Sequence, residues 1–553
     1  MLTKQSSAAN ILQYKREFVT VDKQLQLSPS AKYTPLTKIV ATLGPSTNDY
    51  QSISKIIQAG VNVVRMNFSH GDYEFHQTVY ELVRKIASDL NKEIAILADL
   101  QGPKVRCGNF PGGKIELKRG STIPIIYSKD DGNPDLITTT FKPIIDRCKV
   151  GEPILMDDGL LRLTVKEKQK EKLILSIEQG GFLGNHKGIN LPFTDLGELP
   201  SLTEKDIADA NFVLKNLDVD FFALSFVRRP QDVLDLRKII DKSGKKTRIV
   251  AKIEKPEAVR QLDDILEVVD AVMVARGDLA VEVGVAKVPC LQKHIIRHCL
   301  EHGIPVITAT QMLESMTHNP TPTRAEATDV ANAIFDGTDC VMLSGETAAG
   351  EFPTEAVAMM QQIILETEFQ LHIDKRSQFK NKQFDPTLQK DSAGKTQGFS
   401  VGTAAHLLAE QVNAAAFGCV SGTGSAAIRL STSRPAIPIY VFSSSLGTVR
   451  RMCMTRGAYG ILISQVPPAE EVFEEMENKL KRLGFVKTGD NIIYTAGLPT
   501  LQQSTTNTIH GIFSQILIEF HIQLEFQHII IKYFTLIIFF FYNHYLFIVR
   551  TVV

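Results

Sequence analysis

Residues 247–254 read Thr-Arg-Ile-Val-Ala-Lys-Ile-Glu, and residues 271–277 read Ala-Val-Met-Val-Ala-Arg-Gly. Each is a short apolar run rich in β-branched residues, followed by a polar or glycine-containing turn and then a stretch of helical periodicity. The unit recurs on both sides, at 38–43 (KIVATL), 61–67 (VNVVRMN), 93–99 (EIAILAD), 220–226 (DFFALSF), 305–310 (PVITAT) and 339–344 (DCVMLS). Strands that alternate with helices lie parallel. Eight of them predict a closed (β/α)8 TIM barrel. An open doubly wound sheet is the alternative on strand count, because closure leaves no mark in a sequence.

The gap between the third and fourth runs is too long for a strand-to-helix loop and has a different texture. Turn signals at Pro111-Gly112-Gly113, Asp130-Asp131-Gly132 and Asp157-Asp158-Gly159 separate alternating runs such as LLRLTV and KLILSI. Residues 105–195 are therefore expected to form an inserted β-barrel lid domain at the catalytic mouth of the barrel, which itself takes residues 35–104 and 196–372. After a polar linker near 374–398, a C-terminal α/β effector domain is expected over 373–518, with a helix at 400–412 and strands at 414–420, 437–442, 459–464 and 491–495. Residues 1–34 read as a polar arm with neither a signal peptide nor an acid-free transit sequence.

The 553 residues carry 61 basic and 61 acidic side chains, so no bulk charge draws the chain to nucleic acid or membrane. Seven scattered cysteines without a C-x-x-C pair suggest neither a disulfide framework nor a zinc site, and fit a reducing, cytoplasmic setting. Residues 519–553 stand apart as a hydrophobic tail rich in Phe, Ile, Tyr and Leu. The run from Tyr533 to Val549 approaches membrane-span length, but Asn543 and His544 interrupt it. The tail reads as an unstructured or gene-model extension, with a membrane anchor as the alternative.

In a TIM barrel, catalytic groups sit where strands end. Here the second strand ends in Arg65, Asn67, Ser69 and His70, the third in Asp99, the fifth in Lys252 and Glu254, the sixth in Asp278, and the seventh in Thr310 and Gln311. Glu254 and Asp278 end adjacent strands, so their carboxylates can converge on one oxygen-ligated divalent cation with positions left for substrate, as Mg²⁺ requires. Arg65 and Lys252 add fixed positive charge, and Arg276-Gly277-Asp278 opens a helix whose free N–H groups can hold a carboxylate. The set suits phosphoryl transfer, in which the protein positions groups and offsets charge. The alternative for Lys252 is an ion pair that only orients Glu254.

Five segments carry a resemblance: V-R-M-N-F-S-H-G (Val64 to Gly71), I-V-A-K-I-E-K-P-E (Ile249 to Glu257), V-A-R-G-D-L (Val274 to Leu279), A-T-Q-M-L-E-S-M (Ala309 to Met316) and M-L-S-G-E-T-A (Met342 to Ala348). They resemble the signature segments of pyruvate kinases, and the similarity spans roughly residues 35 to 515. It implies that Glu254 and Asp278 ligate a Mg²⁺ (or Mn²⁺) that holds phosphoenolpyruvate. Lys252 and Arg65 would stabilise the transferring phosphoryl group. Gly277, Asp278 and Thr310 would bind the substrate carboxylate, with Thr310 also ordering the water that protonates the enolate. ADP or ATP would lie against Thr42, Pro45, His70 and Arg106, with Lys187 closing from the lid. Asn67, Ser69, Asp99 and the Leu100 carbonyl match the monovalent-cation site. Ser421-Gly422-Thr423-Gly424-Ser425 matches the turn where members bind a phosphorylated allosteric effector, with a plain strand-to-helix turn as the alternative. Ser344 and Glu346 read as packing residues. A homotetramer is implied.

One segment departs from the commoner pattern. After Asp99 the chain reads Leu100-Gln101-Gly102-Pro103-Lys104-Val105-Arg106. Members that need K⁺ carry Thr-Lys at the first two positions and Glu where Lys104 stands; a branch with Leu, Gln and Lys there needs none. Lys104 is therefore expected to substitute for K⁺, unless it is a surface lysine and the cation site still fills.

Two rival functions are a different barrel enzyme, acting on a phosphoenolpyruvate-like or aldol substrate, and a catalytically idle scaffold. The Lys252-x-Glu254 pair and the lid lysine count against the first, and intact Arg65, Lys252, Glu254, Asp278 and Thr310 against the second. Because the resemblance to the last domain is complete near Thr505-Thr506-Asn507, deleting residues 521–553 is expected to leave specific activity intact and raise solubility. A truncated protein that folds but shows no turnover in a pyruvate-forming assay would make the tail part of the working structure.

Overall fold

A computed structural model of the chain describes residues 34–194, 200–378, 396–468, 471–497 and 508–512. The arm, most of the polar linker and the hydrophobic tail lie outside these residues. Eight parallel strands close a barrel: β1 (Lys38–Thr42), β2 (Val63–Asn67), β3 (Ala95–Asp99), β12 (Phe221–Leu224), β13 (Arg248–Ile253), β14 (Ala271–Ala275), β15 (Val306–Ala309) and β16 (Cys340–Leu343), the numbers between belonging to the lid. Closure is made by β1, which pairs β2 on one side and β16 on the other, with Lys38 opposite Cys340. This removes the open-sheet alternative.

The strands are apolar on both faces because both are covered. Inside, Val40, Val63, Leu97, Phe221, Val250, Met273, Ile307 and Met342 fill the barrel. Outside, Ile39, Val64, Ile96, Phe222, Ile249 and Val272 pack against the helices. Helix starts are set locally: Thr203 with Asp206, and Thr323 with Glu326, form capping boxes that satisfy free N–H groups of the first turn.

The inserted segment is all short strands and one five-residue helix. Its eight strands are β4 (Lys114–Leu117), β5 (Thr122–Tyr127), β6 (Ile137–Thr139), β7 (Pro153–Met156), β8 (Leu161–Lys168), β9 (Lys172–Gln179), β10 (Gly181–Gly184) and β11 (Ile189–Asn190), with β10 pairing β4 apart from the rest.

 Outside these strands, Arg106 and Cys107 each form a single bridge, to Gly188 and to Thr139. The remaining strands join in one sheet of order β11-β7-β8-β9-β5-β6. Backbone hydrogen bonds from the segment at 105–108 reach both edges of this sheet, Ile189 N donating to Val105 O at 2.9 Å beside β11 and Gly108 N to Thr138 O at 2.8 Å in β6. Its own core holds Ile125, Ile154, Leu163, Leu175 and Leu183.

The C-terminal segment is a five-stranded sheet ordered β19-β18-β17-β20-β21, from β17 (Ala416–Val420), β18 (Ile439–Ser443), β19 (Ala458–Leu462), β20 (Ile492–Ala496) and β21 (Thr508–Ile512). The first four are parallel; β21 adds antiparallel to β20. This segment docks under the barrel, where Met454 plugs the apolar interior and accepts a hydrogen bond at its carbonyl from Cys340 Sγ at 3.3 Å.

One carboxylate ties this junction. Glu368, on the long helix Pro353–Gln378, accepts from Leu36 N at 2.8 Å, Thr37 N at 2.7 Å and Thr37 Oγ1 at 2.7 Å, and lies 3.7 Å from Arg456 of the C-terminal segment. Glu368→Ala would leave two buried N–H groups without their acceptor and take a nearby carboxylate from Arg456, a loss of about 3 kcal/mol. A clearly lowered unfolding temperature, restored in large part by Glu368→Gln, is expected; a thermal unfolding curve like the parent's would show the clamp to be idle.

Candidate active site

The barrel's apolar interior ends at its mouth in a layer of charge. Arg65 at the end of β2 grips Asp99 at the end of β3, with Nε and NH2 each 2.7 Å from Oδ2, while its NH1 donates to Thr42 Oγ1 at 2.9 Å. Lys252, on β13, stands 3.4 Å from Asp99 Oδ1 and 3.1 Å from Glu254 Oε1, and donates to Ser225 Oγ at 2.7 Å. Ser225 passes a hydrogen bond to the Leu100 carbonyl at 2.7 Å. The second oxygen of Glu254 accepts from the Phe226 N–H at 2.6 Å.

These neighbours set the protonation states. Burial would raise Asp99, but Lys252 and Arg65 outweigh it and hold its carboxyl below the usual range. Burial opposes the charge on Lys252, and Asp99 with Glu254 overcomes it, so the ammonium is held well above the ordinary lysine range. For Glu254, burial dominates and pushes the carboxyl up to about 7; Lys252 pulls it down, while Asp278 adds repulsion. That repulsion places the two carboxylates within electrostatic reach of one another.

The residues present fit a divalent metal. Glu254 Oε1 is buried with no hydrogen-bond partner, although the Lys252 ammonium is 3.1 Å away, so a lone pair is left for a cation. Oxygen donors suit Mg²⁺, and two carboxylates leave coordination positions for substrate and water. Among the described residues there is no cluster of three or more His, Cys, Asp or Glu that would complete an all-protein cage.

Beside this pair the helix Arg276–Val283 begins, carrying Gly277 and Asp278. A Cβ added at Gly277 would come within 3.0 Å of Thr310 Cγ2, so glycine permits the close approach of the helix start to Thr310. Thr310 itself has φ +77°, a strained conformation for a β-branched residue that costs on the order of 1–3 kcal/mol. Arg276 holds it there, donating to Ala309 O at 3.1 Å and Thr310 O at 2.7 Å while paired with Asp329 at 2.7 Å.

The other candidates lie around this centre. Asn67 Oδ1 accepts from Ser69 N at 3.1 Å, next to Asp99 and Leu100. Thr42 is buried on β1, Pro45 is exposed just beyond it, and exposed His70 offers its carbonyl to His76 Nε2 at 2.9 Å. Lys187 is a half-exposed lid residue paired with Asp157 at 2.8 Å, so it rests on the lid itself in this arrangement. Lys104 lies at the crossing from barrel to lid, where a Cβ added at Gly188 would be 3.4 Å from its Cε. Gln311 shares the left-handed conformation of its neighbour, with φ +56°. Glu346 is buried and bonded by the N–H groups of Leu313 and Ser344, the packing role expected for Ser344 and Glu346.

Far from the mouth, Ser421–Ser425 forms the turn between β17 and the helix Ser425–Thr432. Gly424 there has φ +90°, its N–H donates to Ser421 Oγ at 2.9 Å, and the Gly422 carbonyl accepts from Thr448 Oγ1 at 2.8 Å. Sequence reasoning missed Ser225, the Phe226 N–H and the Arg276–Asp329 support. Ser225 could have been found by the same rule as the others, since it follows the end of a barrel strand; a backbone donor and a long-range ion pair leave no such signal.

Comparison with known proteins gives the chemistry its frame. Residues 34–357 match the family model "Pyruvate kinase, barrel domain", and residues 400–510 match "Pyruvate kinase, alpha/beta domain". The pyruvate kinase of Geobacillus stearothermophilus is 42% identical over 475 residues, 85% of this chain and 79% of that protein. That of Clostridium acetobutylicum is 39% identical over 476 residues, 86% of this chain and 98% of that protein. The chain belongs to the pyruvate kinase family. It is an enzyme, a kinase of the transferase class. A crystal structure of a pyruvate kinase from Cryptosporidium parvum superposes with a TM-score of 0.79 at 33% identity, covering 87% of this chain and 96% of that one. The barrel, the inserted β-rich domain and the C-terminal α/β domain are thus those of pyruvate kinases. No described helix is long and apolar enough to cross a membrane.

The elevated Glu254 carboxyl has a sign that can be tested. A proton competes with metal for it, so Mn²⁺ affinity should be level above about pH 7 and fall roughly tenfold per pH unit below it. Stability of the metal-free protein should move the other way, because a carboxyl with a raised folded pKa loses stability as pH climbs from its unfolded value through about 7. Glu254→Ala and Asp278→Ala should each abolish turnover while the fold survives. Mn²⁺ titration by water-proton relaxation across pH, with both variants, checks this; pH-independent affinity or near-normal turnover would remove the residue concerned from the metal site.

Proposed function

We propose that this chain transfers the phosphoryl group of phosphoenolpyruvate to ADP, giving pyruvate and ATP, and does so without requiring K⁺. The observation that carries the first part is the buried cluster of Arg65, Asp99, Lys252 and Glu254 beside Asp278, in a chain of this family.

Glu254 and Asp278 would hold the divalent metal, whose chemistry is to offset phosphate charge and to orient the phosphoryl oxygens. Lys252 and Arg65 carry fixed positive charge at the same place. Because Asp99, Glu254 and Ser225 already fix the Lys252 ammonium, its charge is preorganised for the transition state rather than gathered during it. The N–H groups of Gly277 and Asp278, with Thr310 Oγ1, would bind the substrate carboxylate, and Thr310 would order the water that protonates the enolate. ADP would lie along Thr42, Pro45, His70 and Arg106. Lys187 would leave Asp157 to meet the nucleotide phosphates when the lid closes. Ser421 to Ser425 would take a phosphorylated effector at the start of the helix, where Thr423 Oγ1 and Ser425 Oγ lie 3.1 Å apart. A homotetramer and a cytoplasmic location belong to the same reading.

The second part rests on Lys104. Its neighbourhood supports the idea, because it stands between barrel and lid and has no ion-pair partner among the described residues. Three oxygens of the monovalent-cation site already accept hydrogen bonds, Asn67 Oδ1 from Ser69 N, Asp99 Oδ2 from Arg65 and the Leu100 carbonyl from Ser225, and the Lys252 ammonium stands 3.4 Å from the remaining Asp99 oxygen. One unit charge at about 4 Å and an effective dielectric near 20 is worth about 4 kcal/mol, roughly a thousandfold in rate if used in the transition state. Pyruvate formation measured in tetramethylammonium buffers is expected to proceed at full rate without KCl, and Lys104→Glu to create a K⁺ requirement. Near-zero turnover that KCl restores in the parent protein would contradict the proposal.

A further inference from the structure

Glu282 lies one helical turn beyond Asp278 on the helix Arg276–Val283 and is 3% exposed. A carboxylate so deeply buried needs partners, and it has two that arrive from different parts of the fold. Its Oε1 accepts from Lys255 Nζ at 2.6 Å and from Asn190 Nδ2 at 3.0 Å. Lys255 directly follows Glu254, and its ammonium lies 5.8 Å from the ring centre of Phe226, whose N–H holds Glu254 Oε2. Asn190 ends β11, the last lid strand before the chain returns to the barrel. The lid touches the same helix a second time: a Cβ added at Gly159 would lie 3.7 Å from Val281 Cγ1. A cavity of about 300 Å³ borders the junction, with Lys104, Asn190, Phe226 and Lys255 in its wall.

One carboxylate oxygen therefore joins the loop carrying Glu254, the helix carrying Asp278 and the base of the lid. We infer that Glu282 is a positioning residue for phosphoryl transfer: it sets the spacing of Glu254 and Asp278 through Lys255, and passes the lid's orientation to that pair through Asn190. Glu282 acts through these neighbours and is not itself a metal ligand. The inference rests on the assignment of Glu254 and Asp278 to the metal.

Mn²⁺, added to the intact protein without substrate and followed by water-proton relaxation, reads the spacing directly, independent of turnover. Glu282→Ala is expected to weaken Mn²⁺ binding about 10- to 100-fold, the range found for groups standing behind metal ligands. Glu282→Gln keeps an acceptor oxygen and should recover most of that loss. Asn190→Ala removes the lid's arm but keeps the Lys255 arm, so it should weaken Mn²⁺ binding less than Glu282→Ala does while raising the KM for ADP. Glu254→Ala is the reference: normal Mn²⁺ binding there would bring down the metal assignment and this inference together. If Glu254→Ala loses Mn²⁺ but folded Glu282→Ala binds it like the parent, the inference alone is overturned. Should Glu282→Ala fail to fold, Lys255→Met carries the same expectation, because it removes the arm next to Glu254; parental Mn²⁺ affinity in that variant would equally overturn it.

Discussion

Lys252 stands 3.1 Å from Glu254 and 3.4 Å from Asp99, and Arg65 closes on the other oxygen of Asp99 at 2.7 Å. None of these charges could be buried alone at this depth, where an unpaired ion costs several kcal/mol. Together they are two cations and two anions, so each offsets the desolvation of its neighbours. The arrangement demands strands whose ends are fixed to within a few tenths of an ångström, and the closed barrel provides that. Strands β2, β3 and β13 supply Arg65, Asp99 and Lys252, Glu254 follows β13 directly, and the apolar layer of Leu97, Val250 and Met273 is close-packed beneath them.

The rest of the structure is referenced to this layer. Above it, the lid is anchored at Asn190 and leans on the helix that carries Asp278, so the lid and the metal carboxylates share a support. Below it, the barrel floor is sealed by Met454 and clamped by Glu368, and Arg434 adds a two-pronged ion pair to Asp339 just before β16, at 3.0 and 2.9 Å. A movement of the C-terminal segment therefore reaches the ends of β1 and β16 directly. The same strands carry Thr42, whose hydroxyl receives Arg65 and donates to the Leu343 carbonyl at 2.9 Å.

Much of this was legible in the sequence, for identifiable reasons. The barrel strands lie within the eight β-branched runs because strands covered on both faces must be apolar throughout. The lid turn at Asp157-Asp158-Gly159 was legible because all three residues take positive φ, which Asp and Gly tolerate best. The edge strand β21 was not, since Thr508–Ile512 is a short segment whose strand character comes from its antiparallel pairing with β20. In the site, side chains at strand ends could be read, whereas the Phe226 N–H could not, because a backbone donor has no letter of its own. The contacts of Glu282 and Glu368 join positions far apart in the chain, 92 residues from Asn190 to Glu282 and 332 from Leu36 to Glu368, and no local pattern announces them.

The central claim is that the Lys252 ammonium is fixed in advance for the charge that develops during phosphoryl transfer. The most direct test is steady-state pyruvate formation by Lys252→Met, set beside Mn²⁺ binding and thermal unfolding of the same variant. The account predicts a protein that folds and binds Mn²⁺, with kcat lowered by about a hundredfold or more, an equivalent preorganised donor being worth roughly 3 kcal/mol, and with little change in KM for phosphoenolpyruvate. A variant whose kcat stays near the parent's, with any effect confined to KM, would contradict it and make Lys252 a ground-state binding residue.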